Sequence, residues 1–221
     1  MENNSFKKFL VLGILFVFPI VIYLFFASGI NNFAKLPILT ENLPEINSWT
    51  TLDGPAVKLN DKITVLGFWG NDLENKKGDA FNLNQKIYKR FYKFKDFQFV
   101  IAVQDSLQDE IKEIVSEIQI GVGTDMVNWK FIFGNPEQIK ALFKSLQSDV
   151  VLSLKQSTST VFIIDKDKTL RGRDDDEDVG TLYGYDASSV ASLNNKMTDD
   201  VKVILAQYRL ALKVNNARRQ N

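Results

Sequence analysis

The chain has 221 residues, 45% of them hydrophobic and 24% charged, which fits one globular domain with an appendage and excludes a disordered chain. Its 27 basic and 27 acidic residues cancel, so no overall field steers it toward nucleic acid, and no nucleic-acid partner is expected. It contains no Cys and no His, which removes disulfides, thiol redox chemistry, Cys lipidation, imidazole base catalysis and most zinc or copper sites.

Residues 1–8 form a short N-terminus ending in Lys7-Lys8. From Phe9 the chain runs without a charge to Ala34, about 26 residues where about 20 cross a bilayer core. The expectation is a transmembrane anchor over residues 9–30, with Pro19 tolerated mid-span. The two lysines keep the N-terminus cytoplasmic by the positive-inside rule and send the remainder across. In a Gram-negative bacterium that remainder is periplasmic. A cleaved signal peptide is the alternative, although the apolar core exceeds a usual signal and Ala27-Ser28-Gly29 is a poor cleavage site.

Residues 31–45 read as a polar linker punctuated by Pro37 and Pro44, and a single domain is expected over 46–214. Ile46 to Leu52 alternates at period two, meets Asp53-Gly54 and returns through Ala56 to Leu59, which predicts an N-terminal β-hairpin. Ile63 to Trp69 is an apolar strand that stops at Gly70-Asn71-Asp72. Asp79 or Asn82 is the expected cap of the helix that follows, with Phe81, Ile87, Tyr88, Phe91 and Tyr92 on its buried side. A strand delivering a loop to a helix N-terminus is where open α/β folds keep their chemistry.

Phe97 to Val103 is a second strand, with Ser106 expected to cap the amphipathic helix carrying Leu107, Ile111, Ile114, Val115 and Ile118. Trp129 to Phe133 is a third strand, and Asn135-Pro136 opens a helix as cap and N1 proline. Val161 to Ile164 is a fourth, turned by Asp165-Lys166-Asp167-Lys168 into an antiparallel partner at Thr169 to Gly172. The order from Ile63 is βαβαβαββα. A last helix from about Ser188 to Val214 repeats Val190, Leu193, Met197, Val201, Ile204, Tyr208 and Leu212, with residues 215–221 as a tail.

Taken together, the Asp53-Gly54 hairpin, GFWGNDLENKKG, WKFIFGNPEQIKALF and VFIIDKDKTLRG resemble membrane-anchored thioredoxin-fold proteins, and more narrowly the Sco/SenC group. The resemblance covers residues 37–172 and implies an α/β thioredoxin-like fold, a central mixed sheet flanked by helices, preceded by one transmembrane helix. Members of that family carry C-x-x-x-C after the first of these strands and a later His. Those residues bind copper on its way to a terminal oxidase or exchange thiols. The matching positions are Leu73 and Lys77 for the cysteines and Ser157 for the histidine. Leu73 has no lone pair, Lys77 is a cation, and Ser157 is a poor ligand for Cu(I), which favours thiolates.

Asp174-Asp175-Asp176-Glu177-Asp178 is the densest set of oxygen donors and a weak candidate for a hard cation, but it lacks the spacing of a calcium loop. A run of like charges also reads as a solvated loop. Ser153, Ser157, Thr158, Ser159 and Thr160 read as turn hydroxyls; Lys155 is the neighbouring base that a Ser nucleophile would need. No cofactor and no catalytic residue is expected. The chain is expected to be a non-catalytic, membrane-tethered binding or assembly scaffold for a membrane or extracytoplasmic protein, with a respiratory oxidase implied by the resemblance. The alternatives are a copper-handling accessory using a partner's ligands and a thiol-independent enzyme on the same fold.

Overall fold

The computed structural model describes residues 3–27, 35–52, 54, 56–123 and 125–219. The chain divides into two compact units, Met1–Ala34 and Lys35–Asn221. The first holds α1 (Asn3–Ala27), whose 25 residues include Pro19. It is long and apolar enough to cross a membrane.

The second unit is built on a mixed sheet. Its strands are β1 (Ile38–Thr40), β2 (Thr50–Thr51), β3 (Ile63–Gly70), β4 (Phe97–Gln104), β5 (Trp129–Gly134), β6 (Thr160–Ile164) and β7 (Leu170–Arg171), in the spatial order β1-β7-β6-β3-β4-β5-β2. β3, β4 and β5 run parallel, and β6 lies antiparallel to β3 with Val65 opposite Ile163. All eight residues of β3 are buried, as a central strand covered on both faces requires. A two-stranded ribbon, β8 (Arg173–Asp176) with β9 (Gly180–Leu182), follows β7, and β10 (Tyr185–Asp186) pairs with β6.

Side chains alternate between two cores. Val65, Phe99, Ile101 and Phe131 face the helices α2 (Leu73–Leu83), α3 (Lys89–Phe91) and α4 (Gln108–Val122). That face also takes Leu193, Met197, Val201 and Ile204 from the C-terminal run, which starts at α6 (Val190–Ser192) and continues into α7 (Thr198–Arg219). Leu66, Phe68, Val100 and Ile132 face α5 (Pro136–Ser145). Asn135 caps α5 in a reciprocal pair with Gln138, each accepting a backbone N–H at 2.9 Å, with Pro136 behind it as expected.

Four local expectations are corrected. The N-terminal hairpin does not form: Thr50–Thr51 pairs instead with Ile132 and Phe133 at the far edge, and residues 56–58 are not a strand. Asp53 lies outside the described residues. The Glu45 carboxylate removes the need for the return strand, because it accepts the backbone N–H groups of Ile46, Leu59 and Asn60 at 3.0, 2.7 and 3.2 Å. Burial pushes the Glu45 carboxyl up, but those three bonds outweigh it and hold it below the usual value. Leu43, Ile46, Val57 and Leu59 then pack as irregular chain over the α5 face.

The helix after β3 begins at Leu73 rather than at Asp79 or Asn82. Leu73 enters the core, and the charges Lys76 and Asp79 sit buried in one turn as a 3.1 Å ion pair. Ser106 caps nothing: residues 105–107 are a 3₁₀ turn, and α4 starts at Gln108 without a side-chain cap. The last helical run is capped by Ser189, which accepts from the Ser192 amide, and continues to Arg219, so residues 215–219 of the expected tail are helical. Residues 220 and 221 lie outside the described residues.

Candidate functional site: the loop at the end of β3

β3 closes on Gly70, whose φ of +52° suits glycine and whose missing Cβ leaves room for the carbonyl oxygens of Lys155 and Gln156. The loop of residues 153–157 therefore lies directly on the strand end. Asn71 N donates to Lys155 O at 2.8 Å, and Thr158 N donates to Phe68 O at 3.0 Å. The loop is also closed on itself, with Ser153 and Ser157 joined through their hydroxyls at 2.9 Å and Ser153 N bonded to Ser157 O at 2.9 Å.

Asp72 is the hub. Its Oδ1 accepts Lys155 Nζ at 2.8 Å and Asn75 Nδ2 at 2.8 Å, and its Oδ2 accepts Ser157 Oγ at 3.3 Å. Burial pushes this carboxyl up, but the bonds from Lys155, Asn75 and Ser157 win and hold it below the usual carboxylate value. The arrangement is a charge-neutral latch in which Asp72, Lys155, Asn75 and Ser157 satisfy one another.

The three positions matched to the resembled family's ligands are divided by the structure. Leu73 is buried as a core residue. Ser157 meets the neighbouring Asp72. Lys77 turns to α4, where its Nζ lies 3.1 Å from Glu117, and that hydrogen bond raises its pKa. One residue earlier, on the buried side of α2, Lys76 Nζ donates to Ser159 Oγ at 2.8 Å while also pairing with Asp79. The Ser–Lys contact has the reach of a nucleophile and base, but an ammonium held by a carboxylate has no lone pair with which to take the serine proton. Lys155, the base nearest in sequence, is likewise occupied by Asp72. A cleft of about 280 Å³ opens beside the latch, lined by Asp72, Glu74, Lys77, Glu110, Glu113 and Glu117 among others.

Sequence reading placed Asp72 in the loop but did not join it to Lys155, which lies 83 residues away. It also missed the Lys76, Asp79 and Ser159 set. The cue available was a charged pair, Lys76 and Asp79, three residues apart on a helix whose neighbours Ala80 and Leu83 are apolar.

The acidic run follows a different course. Asp174, Asp175, Glu177 and Asp178 are exposed, whereas Asp176 is buried and meets Lys196 Nζ at 2.7 Å, with Asp178 on the same ammonium at 2.6 Å. The Lys196 bond holds the Asp176 carboxyl below its ordinary range against the opposing effect of burial. Arg173 forks onto Asp200 at 2.7 and 3.0 Å, and Tyr185 OH donates to the same carboxylate at 2.7 Å. The run thus fastens the β8–β9 ribbon to the C-terminal helices. Among the described residues no group of three or more Asp, Glu, His or Cys gathers in a way that could hold a metal.

No family model matches the sequence, and no curated protein does. Solved structures do match. A SCO1/SenC family lipoprotein from Bacillus anthracis is 21% identical, with a TM-score of 0.54 over 80% of this chain and 99% of that one. A candidate protein disulfide isomerase from Bacteroides thetaiotaomicron is 13% identical, with a TM-score of 0.50 over 78% and 95%. A candidate electron transfer protein from Aquifex aeolicus is 15% identical, with a TM-score of 0.50 over 75% and 97%. At these identities the likeness is one of fold. The sheet order, the helices on both faces and the matches agree that the described residues of the second unit adopt a thioredoxin-like fold, Sco-like in shape, in a chain without a single cysteine.

Proposed function

We propose that this chain is a non-catalytic thioredoxin-like scaffold, tethered by α1 with its N-terminus in the cytoplasm and its domain outside, that binds and helps assemble a membrane protein complex. The observation that carries this reading is the Asp72–Lys155 latch. At the strand end where thiols or metal ligands would act, Asp72, Lys155, Asn75 and Ser157 are spent on one another, and the chain holds neither Cys nor His. Thiol exchange and thiolate or imidazole copper ligation are therefore outside its chemistry.

A pinned loop is well suited to presenting side chains to a partner, because little ordering entropy is lost on binding. Here the loop of residues 153–157 is tied to β3 and Asp72, and Leu154 within it is 98% exposed, with Val151 just before it 81% exposed. Two large apolar side chains held in solvent on and beside this loop support reading it as an interaction surface. The Sco/SenC resemblance points to a respiratory oxidase as the complex.

The test is affinity purification of the full-length chain from its native membrane in mild detergent, with mass spectrometry and metal analysis of one sample. Oxidase subunits recovered in fixed ratio with no stoichiometric copper are expected. A chain recovered alone overturns the assembly role, and one copper per chain would turn the reading toward copper handling with a partner's ligands.

A further inference from the structure

A second surface, away from the latch, carries an unbalanced charge. α2 passes through a π-helical turn, Asn84–Tyr88, into α3, and the chain leaves it by turns at residues 92–96. Ile87, Tyr88 and Phe91 are buried, which turns Lys86, Lys89, Arg90 and Lys93, spaced i, i+3, i+4 and i+7, to the outer side. Lys89, Arg90, Lys93 and Lys95 are exposed, and from Ala80 to Lys95 the sequence holds five basic residues and no acidic one. None of the five has an ion-pair partner among the described residues, unlike Lys62, Lys77 and Lys166. The carboxylates on neighbouring elements are fewer and mostly engaged. Asp96 is held by Lys62 and Lys166, Asp199 beside Arg90 is paired with Lys202 at 2.8 Å, and Asp125 accepts Tyr88 OH at 3.4 Å and Val127 N at 3.2 Å.

Phe94 adds an apolar element to this face. It is 40% exposed between Lys93 and Lys95, and a turn fixes it: its N–H donates to Phe91 O at 2.9 Å and its carbonyl accepts Phe97 N at 3.0 Å. Its ring lies 6.5 Å from that of Phe91, which anchors it to the core. A half-exposed aromatic ring among lysines suits a lipid interface, with the ring at the acyl boundary and the ammonium groups on phosphates. The chain also supplies the proximity. α1 is long and apolar enough to cross a membrane, and residues 28–34, which join it to the domain, span at most about 30 Å. A domain so tethered meets lipid at high effective concentration, which favours lipid over a soluble polyanion as the occupant.

We infer that Lys86, Lys89, Arg90, Lys93, Phe94 and Lys95 form a docking face for an anionic lipid bilayer. The inference rests on the tether in the proposed function and goes beyond its scaffold role. Phe94 precedes the start of β4, whereas the loop of residues 153–157 lies on the C-terminal end of the parallel neighbour β3, so docking leaves that loop free for a partner.

Because the chain has no cysteine, Gln85→Cys beside the face carries a single fluorophore, and Leu154→Cys at the other end of the strands carries the control. The full-length chain is placed in nanodiscs of phosphatidylcholine, with or without phosphatidylglycerol, that contain phosphatidylcholine bearing a headgroup nitroxide as quencher. Quenching at position 85 should be about twofold or more stronger with phosphatidylglycerol, and quenching at position 154 should not change. Raised salt should remove the excess. A Lys89→Gln, Arg90→Gln, Lys93→Gln triple variant, altered only at exposed positions, should weaken docking about tenfold or more with an unchanged thermal midpoint. A chain that elutes apart from both kinds of disc fails the tether, and this inference with it. A retained chain quenched equally in the two lipids, or one whose quenching ignores both salt and the three substitutions, overturns the docking face alone. A label that ignores phosphatidylglycerol but responds to polyglutamate would assign the face to an acidic protein segment and overturn the lipid.

Discussion

Two aspartates, one at each end of β6, do different work in this fold. Asp165, at the β6–β7 turn, has a side chain that is 1% exposed and is saturated by donors. Asp167 N and Thr169 N reach one oxygen at 2.9 Å, and Thr169 Oγ1 and Arg171 Nη1 reach the other at 2.6 and 2.7 Å. Arg171, itself buried, also donates to Leu36 O and to Gln207, so the pair ties the incoming chain, the sheet and α7 together. Asp72 is likewise hydrogen-bonded, but its partner Lys155 is 59% exposed and the pair sits at a surface. The first aspartate holds the fold; the second closes a site. The VFIIDKDKTLRG stretch, one of the segments that carry the family resemblance, holds the structural one of the two. The likeness is one of architecture.

The comparison breaks most visibly at Arg171. Arg171→Met leaves Asp165 buried without its counter-charge, and a loss of roughly 3–5 kcal/mol is expected, read as a large fall in the thermal midpoint of the full-length chain. A loss below about 1 kcal/mol would mean that Asp165 is not a structural lock. Gly70→Ala comes next. It forces a non-glycine residue to positive φ and drives a Cβ into the carbonyls of Lys155 and Gln156, and a cost of about 1–3 kcal/mol is expected, with faster amide exchange at Asn71 and Thr158 as the local readout.

Lys155→Ala should cost no more than about 1 kcal/mol, because the ammonium is largely solvated and screened. A cost as large as that of Arg171→Met would erase the distinction between the two aspartates. The smallest effect is a pH slope. The Asp72 carboxyl is held below its ordinary value, so its stabilisation is present above about pH 4 and is lost as the pH falls through the lower folded-state value. Asp72→Asn should therefore lower stability slightly at neutral pH and flatten the acid limb below about pH 4. An unchanged acid limb would show that the latch does not favour the ionised carboxylate.

What could be read from the sequence follows the range of the interactions involved. The central strands at Ile63, Phe97, Trp129 and Val161 are continuous apolar runs, and the Asn135-Pro136 cap and the Asp165 turn are closed within six residues, so each carries its own signal. The hairpin expected at Asp53-Gly54 failed because Glu45 reaches across 14 residues to satisfy Leu59, a substitute for strand pairing that no local pattern announces. The helix start at Leu73 was missed because the buried Lys76–Asp79 pair reads as surface until Ser159 is known to lie beside it. The latch itself joins residues 83 apart, and the empty ligand positions at Leu73, Lys77 and Ser157 reveal only what is lacking.

The central claim, that the pinned loop serves binding and not chemistry, is met most directly by repeating the membrane purification with a Val151→Asp, Leu154→Asp double variant. Both side chains are exposed, so the thermal midpoint should stay within the range of ordinary surface changes, about 0.5 kcal/mol. The account predicts that recovery of the partner complex falls about tenfold or more while the domain stays folded. Undiminished recovery from an equally stable variant would contradict it.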